Sequence, residues 1–280
     1  MNKADSPART IHGEDAAALM RPLTDLVVRA GAAVLAINRR AMKVADKSDG
    51  SPVTEADLCA DRIIGEGLKE LIPEVPALSE ERVQQAQPCY RGSFFLIDPL
   101  DGTKEFIAGR SEFTINLALV TDGTPLLGIV AAPALGLLWR GMVGRGAERL
   151  RLDDAGASHP EPIHTRAMPK PGEAWIAAVS RLHGDAGTEA FIDARPGAVR
   201  MQLGSAVKFG RVAEGAVDIY PRLAPTSEWD VAAGHAVVTA AGGKVTGSDG
   251  QPLRFGEGGG GFIVPAFIAW GDPSAAEATY

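Results

Sequence analysis

Asp98, Pro99, Leu100, Asp101, Gly102, Thr103, Lys104, Glu105 and Phe106 follow the apolar run Phe94–Ile97, so two carboxylates stand three residues apart at the exit of an expected buried strand. Two acids gathered at one buried point are costly unless a cation neutralises them. Pro99 restricts Asp98 to an extended backbone and Gly102 permits a tight turn, which lets both carboxylates and the Leu100 carbonyl face one point. Oxygen donors of this kind suit Mg²⁺. A turn that merely uses Asp is the competing reading. Glu80 follows another short apolar run, and Asp230 opens a helix of small residues, Trp229–Gly234. Alone, Glu80 reads as a solvated surface residue and Asp230 as a helix cap, although a helix start also offers free N–H groups to phosphate.

The elements that must carry these acids follow from periodicity. Residues 15–40 have Ala, Leu, Val and Ile at helical spacing and end in Arg39 and Arg40, where positive charge suits a helix C-terminus. A second amphipathic helix is expected over 55–71, with Leu58, Ile63, Ile64, Leu68 and Leu71 apolar, Thr54 as cap and Pro73 as stop. Strands are expected over 76–79, 94–97, 113–120, 126–131 and 137–143, forming a mainly antiparallel sheet. A polar, Pro-rich connection spans 153–171. Beyond it, strands over 175–179 and 198–203 alternate with helices over 185–193, 205–214 and 228–241. Gly256–Gly261 reads as a loop before a closing strand over 262–264. Residues 1–155 thus form an α+β half with the metal-binding strand ends, and 156–280 an α/β half, packed as one unit.

The 280 residues are 45% hydrophobic and 22% charged, enough for a large core. A formal charge of −7 argues against binding nucleic acid through a positive surface. An anionic small molecule would need local cations instead. Cys59 and Cys89 form no CxxC pair, which fits a reducing compartment better than a disulfide framework. The start, with Asp5, Glu14 and Asp15, lacks signal-peptide character, and no apolar run approaches the roughly 20 residues of a membrane span. The expected location is the cytoplasm, with peripheral attachment to the inner face of the membrane left open.

Asp98–Phe106 resembles the DPxDGTxEF signature of the inositol monophosphatase superfamily. Trp229–Gly243 resembles its WDxAAG signature followed by AGG, and Ser51–Asp57 its PVTxAD element, in family order along nearly the whole chain. The resemblance implies a layered αβαβα sandwich. It also implies metal ligands at Glu80, Asp98, the Leu100 carbonyl, Asp101 and Asp230, with Asp57 and Thr103 beside the nucleophilic water and Glu80 sharing in catalysis.

Within the superfamily, the chain is similar to the branch acting on nucleotide 3',5'-bisphosphates. Lys104 and Glu105 follow DGT, Ser180, Arg181 and His183 look like SRxH with Leu182 inside, and Gly204, Ser205, Lys208 and Phe209 resemble GSxxKF, followed by Tyr220, Pro221 and Arg222. By that resemblance His183, Ser205, Lys208 and Arg222 surround the nucleotide, and Asp101, Gly102, Thr103 and Asp230 also contact substrate. The implied reaction is removal of the 3'-phosphate of adenosine 3',5'-bisphosphate, or of its sulfated analogue, by water and roughly two or three Mg²⁺ ions, with inhibition by Li⁺. The alternatives are a phosphatase for inositol 1-phosphate or a sugar bisphosphate, and a non-catalytic protein that binds metal and nucleotide. Taken singly, Lys208 reads equally as a solvated helix residue, His183 as a loop residue and Arg222 as a surface charge. Either a monomer or a homodimer fits.

Overall fold

The computed structural model describes residues 9–47, 50–153, 156–181, 184–258 and 261–278. His183 and the centre of the Gly256–Gly261 loop lie outside the described residues. Helix α1 (Gly13–Ala36) buries Leu23, Leu26, Val27, Ala30 and Val34, the stripe its spacing requires. It stops at Ala36, so Arg39 and Arg40 do not occupy its last turn. The Arg39 guanidinium instead lies 4.5 Å from the centre of the Phe106 ring and 5.3 Å from that of Phe113, where the π-faces attract it. After the hairpin β1 (Val44–Asp46) and β2 (Pro52–Thr54), α2 (Glu55–Leu71) covers the expected residues. Thr54 closes a capping box, accepting from the Ala56 N–H while its own N–H donates to Asp57. Ile64 and Leu68 form its inner face; Leu58 and Leu71, counted in that face from periodicity, are exposed.

The larger sheet has seven strands in sequence order: β3 (Ala77–Ser79), β4 (Ser93–Asp101), β5 (Thr114–Thr121), β6 (Thr124–Ala132), β7 (Leu137–Met142), β8 (Gly146–Asp153) and β9 (Gly156–Ile163). Only β3 beside β4 is parallel. The short helix α3 (Thr103–Ile107) interrupts the path from β4 to β5. The connection expected over 153–171 proves to contain β9. Its residues Ser158–Pro162 are largely exposed, so apolar alternation is missing, and Pro160 and Pro162 are tolerated because the strand lies at the sheet edge.

The second sheet has five strands, ordered β11 (Val199–Leu203), β10 (Ile176–Ser180), β12 (Ile219–Arg222), β16 (Phe267–Trp270) and β14 (Lys244–Thr246). The residues expected to close it form instead β15 (Ile263–Val264), a partner of β13 (Thr226–Ser227), and the closing strand is β16. Helices α1 and α2 cover one face of the larger sheet. Helices α5 (Val207–Ala213) and α6 (Glu228–Ala240) lie between the sheets, and α4 (Ala186–Asp193) and α7 (Pro273–Glu277) pack against the smaller one. This is the expected αβαβα layering. The contact of α6 with the larger sheet is close: a Cβ at Gly128 of β6 would stand 2.1 Å from the Ala233 carbonyl oxygen.

Candidate active site

Strand ends and helix starts from both halves converge on one cleft. The parallel register of β3 and β4 sets Ser79 opposite Ile97, so Glu80, just past the end of β3, falls next to Asp98, which is still within β4. Asp98 accepts a 3.0 Å hydrogen bond from the Leu100 N–H, which folds the chain back toward its own carboxylate. Gly102, at φ 91° in the left-handed region, turns the backbone into α3 and brings Thr103 under the strand end. Asp230 enters from the start of α6, where it accepts from the Thr226 hydroxyl and, at 3.3 Å, from the Ser227 N–H. Glu80, Asp98, Leu100, Asp101, Thr103 and Asp230 line the cleft together with Ser205, Lys208 and Arg222.

Asp57 stands in contact with the same group. Its Oδ2 accepts from the Thr54 N–H at 2.8 Å and the Thr54 hydroxyl at 2.6 Å, and its Oδ1 lies 3.0 Å from the Thr103 Oγ1. The Thr103 hydroxyl is also 3.3 Å from the Leu100 carbonyl. Of the expected site residues only His183 lies outside the described chain; the others meet in this region.

Burial and mutual repulsion raise the proton affinity of the acids. Burial, reinforced by Glu80, Asp101 and Asp230, raises Asp98 well above the ordinary carboxylate range. Burial and then Asp230 push Asp101 up to about 6, against the pull of Lys208 and Arg222. Burial likewise raises Glu80 and Asp230. In the same cleft, burial lowers Lys208 to about 8 although Asp101 opposes it. Lys208 is 3% exposed, which removes the solvated-face reading. Its Nζ donates to the Ser205 carbonyl at 2.6 Å and stands 5.1 Å from the centre of the Tyr220 ring.

One residue with no part in the sequence reading enters here. The Lys47 ammonium donates to Glu80 and to Glu81, each at 2.6 Å. A lone Lys in a polar stretch carries no motif; the available signal was charge balance, because acids at a strand end need a cation.

The donor set fits divalent cations. Among the described residues no three acids close around one point as a finished metal cage. Each carboxylate is turned onto a protein donor instead: Glu80 onto Lys47, Asp98 onto the Leu100 N–H, and Asp230 onto Thr226. Yet the acids raise one another's proton affinity, and Asn116, directly opposite Asp98 in the β4–β5 pair and 1% exposed, has neither amide atom bonded. In the same cleft the Arg222 Nε is buried and unbonded. Buried polar atoms without partners beside excess negative charge suit a site completed by hydrated cations and an anionic ligand.

Residues 16–276 match the model of the inositol monophosphatase family. The chain belongs to that family. It is 37% identical over 244 residues to the 3'(2'),5'-bisphosphate nucleotidase CysQ of Escherichia coli strain K12, covering 85% of this chain and 94% of that protein. The crystal structure of CysQ from Bacteroides thetaiotaomicron superposes with a TM-score of 0.71 at 31% identity, covering 90% of this chain and 97% of that one. An inositol monophosphatase from Thermotoga maritima gives 0.72 at 26% identity, over 93% and 94% of the two chains. No helix among the described residues is long and apolar enough to cross a membrane.

Proposed function

We propose that this protein is a metal-dependent phosphomonoesterase that hydrolyses the 3'-phosphate of adenosine 3',5'-bisphosphate, giving AMP and phosphate. The observation that carries this reading is the pairing, in one cleft, of a buried acid cluster with Lys208 and Arg222. The acids suit cations that receive the reacting phosphoryl group, and the facing cations suit a ligand with further negative charge, as a bisphosphate has. The identity of 37% to a named bisphosphate nucleotidase supports the same substrate class.

Glu80, Asp98, the Leu100 carbonyl, Asp101 and Asp230 would hold Mg²⁺, in two or three positions on the order usual for two-metal phosphatases. When bound, such cations screen the phosphoryl oxygens and promote ionisation of the attacking water. The chain's own residues position and deprotonate that water. Both bonds to Asp57 Oδ2 come from Thr54, which fixes the carboxylate and leaves Oδ1 toward Thr103. A water beside Thr103 can pass a proton to Oγ1 as the hydroxyl gives its own to Asp57 Oδ1; the water oxygen attacks phosphorus in line with the 3' oxygen, which departs with the electron pair of the broken P–O bond and takes a proton from solvent to become the 3'-hydroxyl of AMP. Lys208, held by the Ser205 carbonyl, and Arg222, anchored through Nη2 at 3.4 Å from the Pro225 carbonyl, bind and orient the anion. By resemblance His183 would also contact the nucleotide. A small-molecule substrate and a cytoplasmic setting complete the proposal, the latter supported by the free thiols of Cys59 and Cys89.

Phosphate release from adenosine 3',5'-bisphosphate and inositol 1-phosphate, measured side by side with Mg²⁺ and with Asp101→Asn as blank, tests the reading. A strong preference for the nucleotide supports it. Preference for the inositol ester overturns the specificity while leaving the metal site in place.

A further inference from the structure

The turn that carries Ser205 and Lys208 comes from the second half of the chain, whereas the acids come mainly from the first, so something must fix one against the other. Glu112, in the segment between α3 and β5, is not among the residues that line the cleft but meets that turn at two points. Its Oε2 accepts from the Gly204 N–H at 3.0 Å, and its carbonyl accepts from the Ser205 hydroxyl at 3.0 Å. Arg181 holds the same Oε2 at 2.8 Å and spends another N–H on the Gln202 carbonyl at 3.2 Å. Arg181 thereby joins the ends of β10 and β11 to a carboxylate of the first half. The Ser205 hydroxyl also lies 2.9 Å from the Asp101 carbonyl, which extends the junction to the acid-bearing strand.

The fit leaves no room for slippage. A Cβ at Gly204 would stand 2.5 Å from the Glu112 carbonyl oxygen, and one at Gly102 would stand 2.2 Å from the Ser205 Oγ. Ser205 itself sits at φ 50°, in the left-handed region, a conformation that persists only where the surroundings over-determine it. Its carbonyl is the acceptor that holds the Lys208 Nζ. Displacing the turn therefore displaces the buried cation. An ordinary exposed ion pair contributes little, but the Glu112 side chain is 19% exposed and binds a backbone N–H as well as a guanidinium.

We propose that Glu112, held by Arg181, is a positioning residue that sets the Gly204–Lys208 turn against the acid cluster and so fixes the binding wall for the nucleotide. This rests on the nucleotidase reading above. Glu112→Gln keeps an acceptor for Gly204 but loses the charge facing Arg181; Glu112→Ala loses both. The KM for adenosine 3',5'-bisphosphate is expected to rise about threefold in Glu112→Gln and Arg181→Met and about tenfold or more in Glu112→Ala, the net scale of one to two ordinary hydrogen bonds. The kcat is expected to stay within about twofold, and Arg181→Lys to recover most of the loss. Mg²⁺ binding by calorimetry without substrate is expected to match the unsubstituted protein.

The unsubstituted protein is assayed first, since failure to turn over the bisphosphate would overturn the function itself. Given that turnover, an unmoved KM in the folded Glu112→Gln and Arg181→Met variants overturns the positioning role. So does a fall in thermal stability with no KM change, or a loss of kcat and Mg²⁺ affinity together. Glu112→Gln and Arg181→Met are near-isosteric and carry the test if Glu112→Ala fails to fold.

Discussion

Replacing Asp101 by Asn is expected to remove activity and, in the metal-free protein, to raise stability. Asp101 is raised from the ordinary 3.8 to about 6, chiefly by burial and then by Asp230. One pKa step corresponds to about 1.36 kcal/mol, so ionising this carboxyl in the folded protein costs about 3 kcal/mol more than in the unfolded chain. The sign follows from proton binding: between about pH 4 and 6 the folded state holds the proton that the unfolded state has released, so stability falls as pH rises through that window. Below it the cost is absent, and above it the full amount is present. Asn carries no charge and can still accept from the Thr114 hydroxyl, which lies 3.3 Å from Asp101 Oδ2. With a chelator at pH 8, Asp101→Asn should therefore melt several degrees higher, at roughly 2 °C or more per kcal/mol for a chain of this size. At pH 4 the difference should shrink toward zero. Added Mg²⁺ should raise the melting temperature of the unsubstituted protein more than that of the variant. Thermal melts at the two pH values, with and without Mg²⁺, check this. A metal-free variant that is less stable at pH 8, or a gain equal at both pH values, would refute the charge-repulsion argument.

Lys208→Met should raise the KM for the bisphosphate by about tenfold or more, because a buried cation that meets the anion is lost. The unsubstituted enzyme should show the same weakness with pH: Lys208 loses its proton above about 8, so KM should climb through pH 8–10 in steady-state assays. A flat KM over that range would separate Lys208 from substrate binding. Lys47→Met should lower the melting temperature in chelator by leaving Glu80 and Glu81 without their shared cation, and saturating Mg²⁺ should narrow the gap, as read by the same melts. Gly128→Ala should destabilise the fold by about 3 kcal/mol or more in denaturant titrations, since its Cβ meets the backbone of α6 rather than a movable side chain.

What could be read in the sequence divides along physical lines. Asp98, Asp101 and Asp230 stand next to strong local signals, a buried strand exit, a Pro and Gly turn, and a helix start, so their chemistry and their position are written in the same few residues. The α2 boundaries were legible for the same reason, because Thr54 and Asp57 cap each other locally. The facing cations are different. Lys208 lies on a short helix whose outer-looking charges gave no hint that α5 is clamped between two sheets, and only the packing around Tyr220 and Phe209 buries it. Lys47 and Glu112 have still less local signature, for their roles consist of reaching residues 33 and 92 positions away. Strand β9 was missed because an edge strand with one wet face does not need the alternation that identifies inner strands. Acid clusters at element ends are thus announced by local sequence, since they must be built into turns that point them together. The groups that balance such clusters are free to come from anywhere that folding brings near. In an acidic chain the charge of the acids predicts that those partners exist; the resemblance proposed Lys208 and Arg222, and only the fold adds Lys47 and shows Lys208 buried beside the acids.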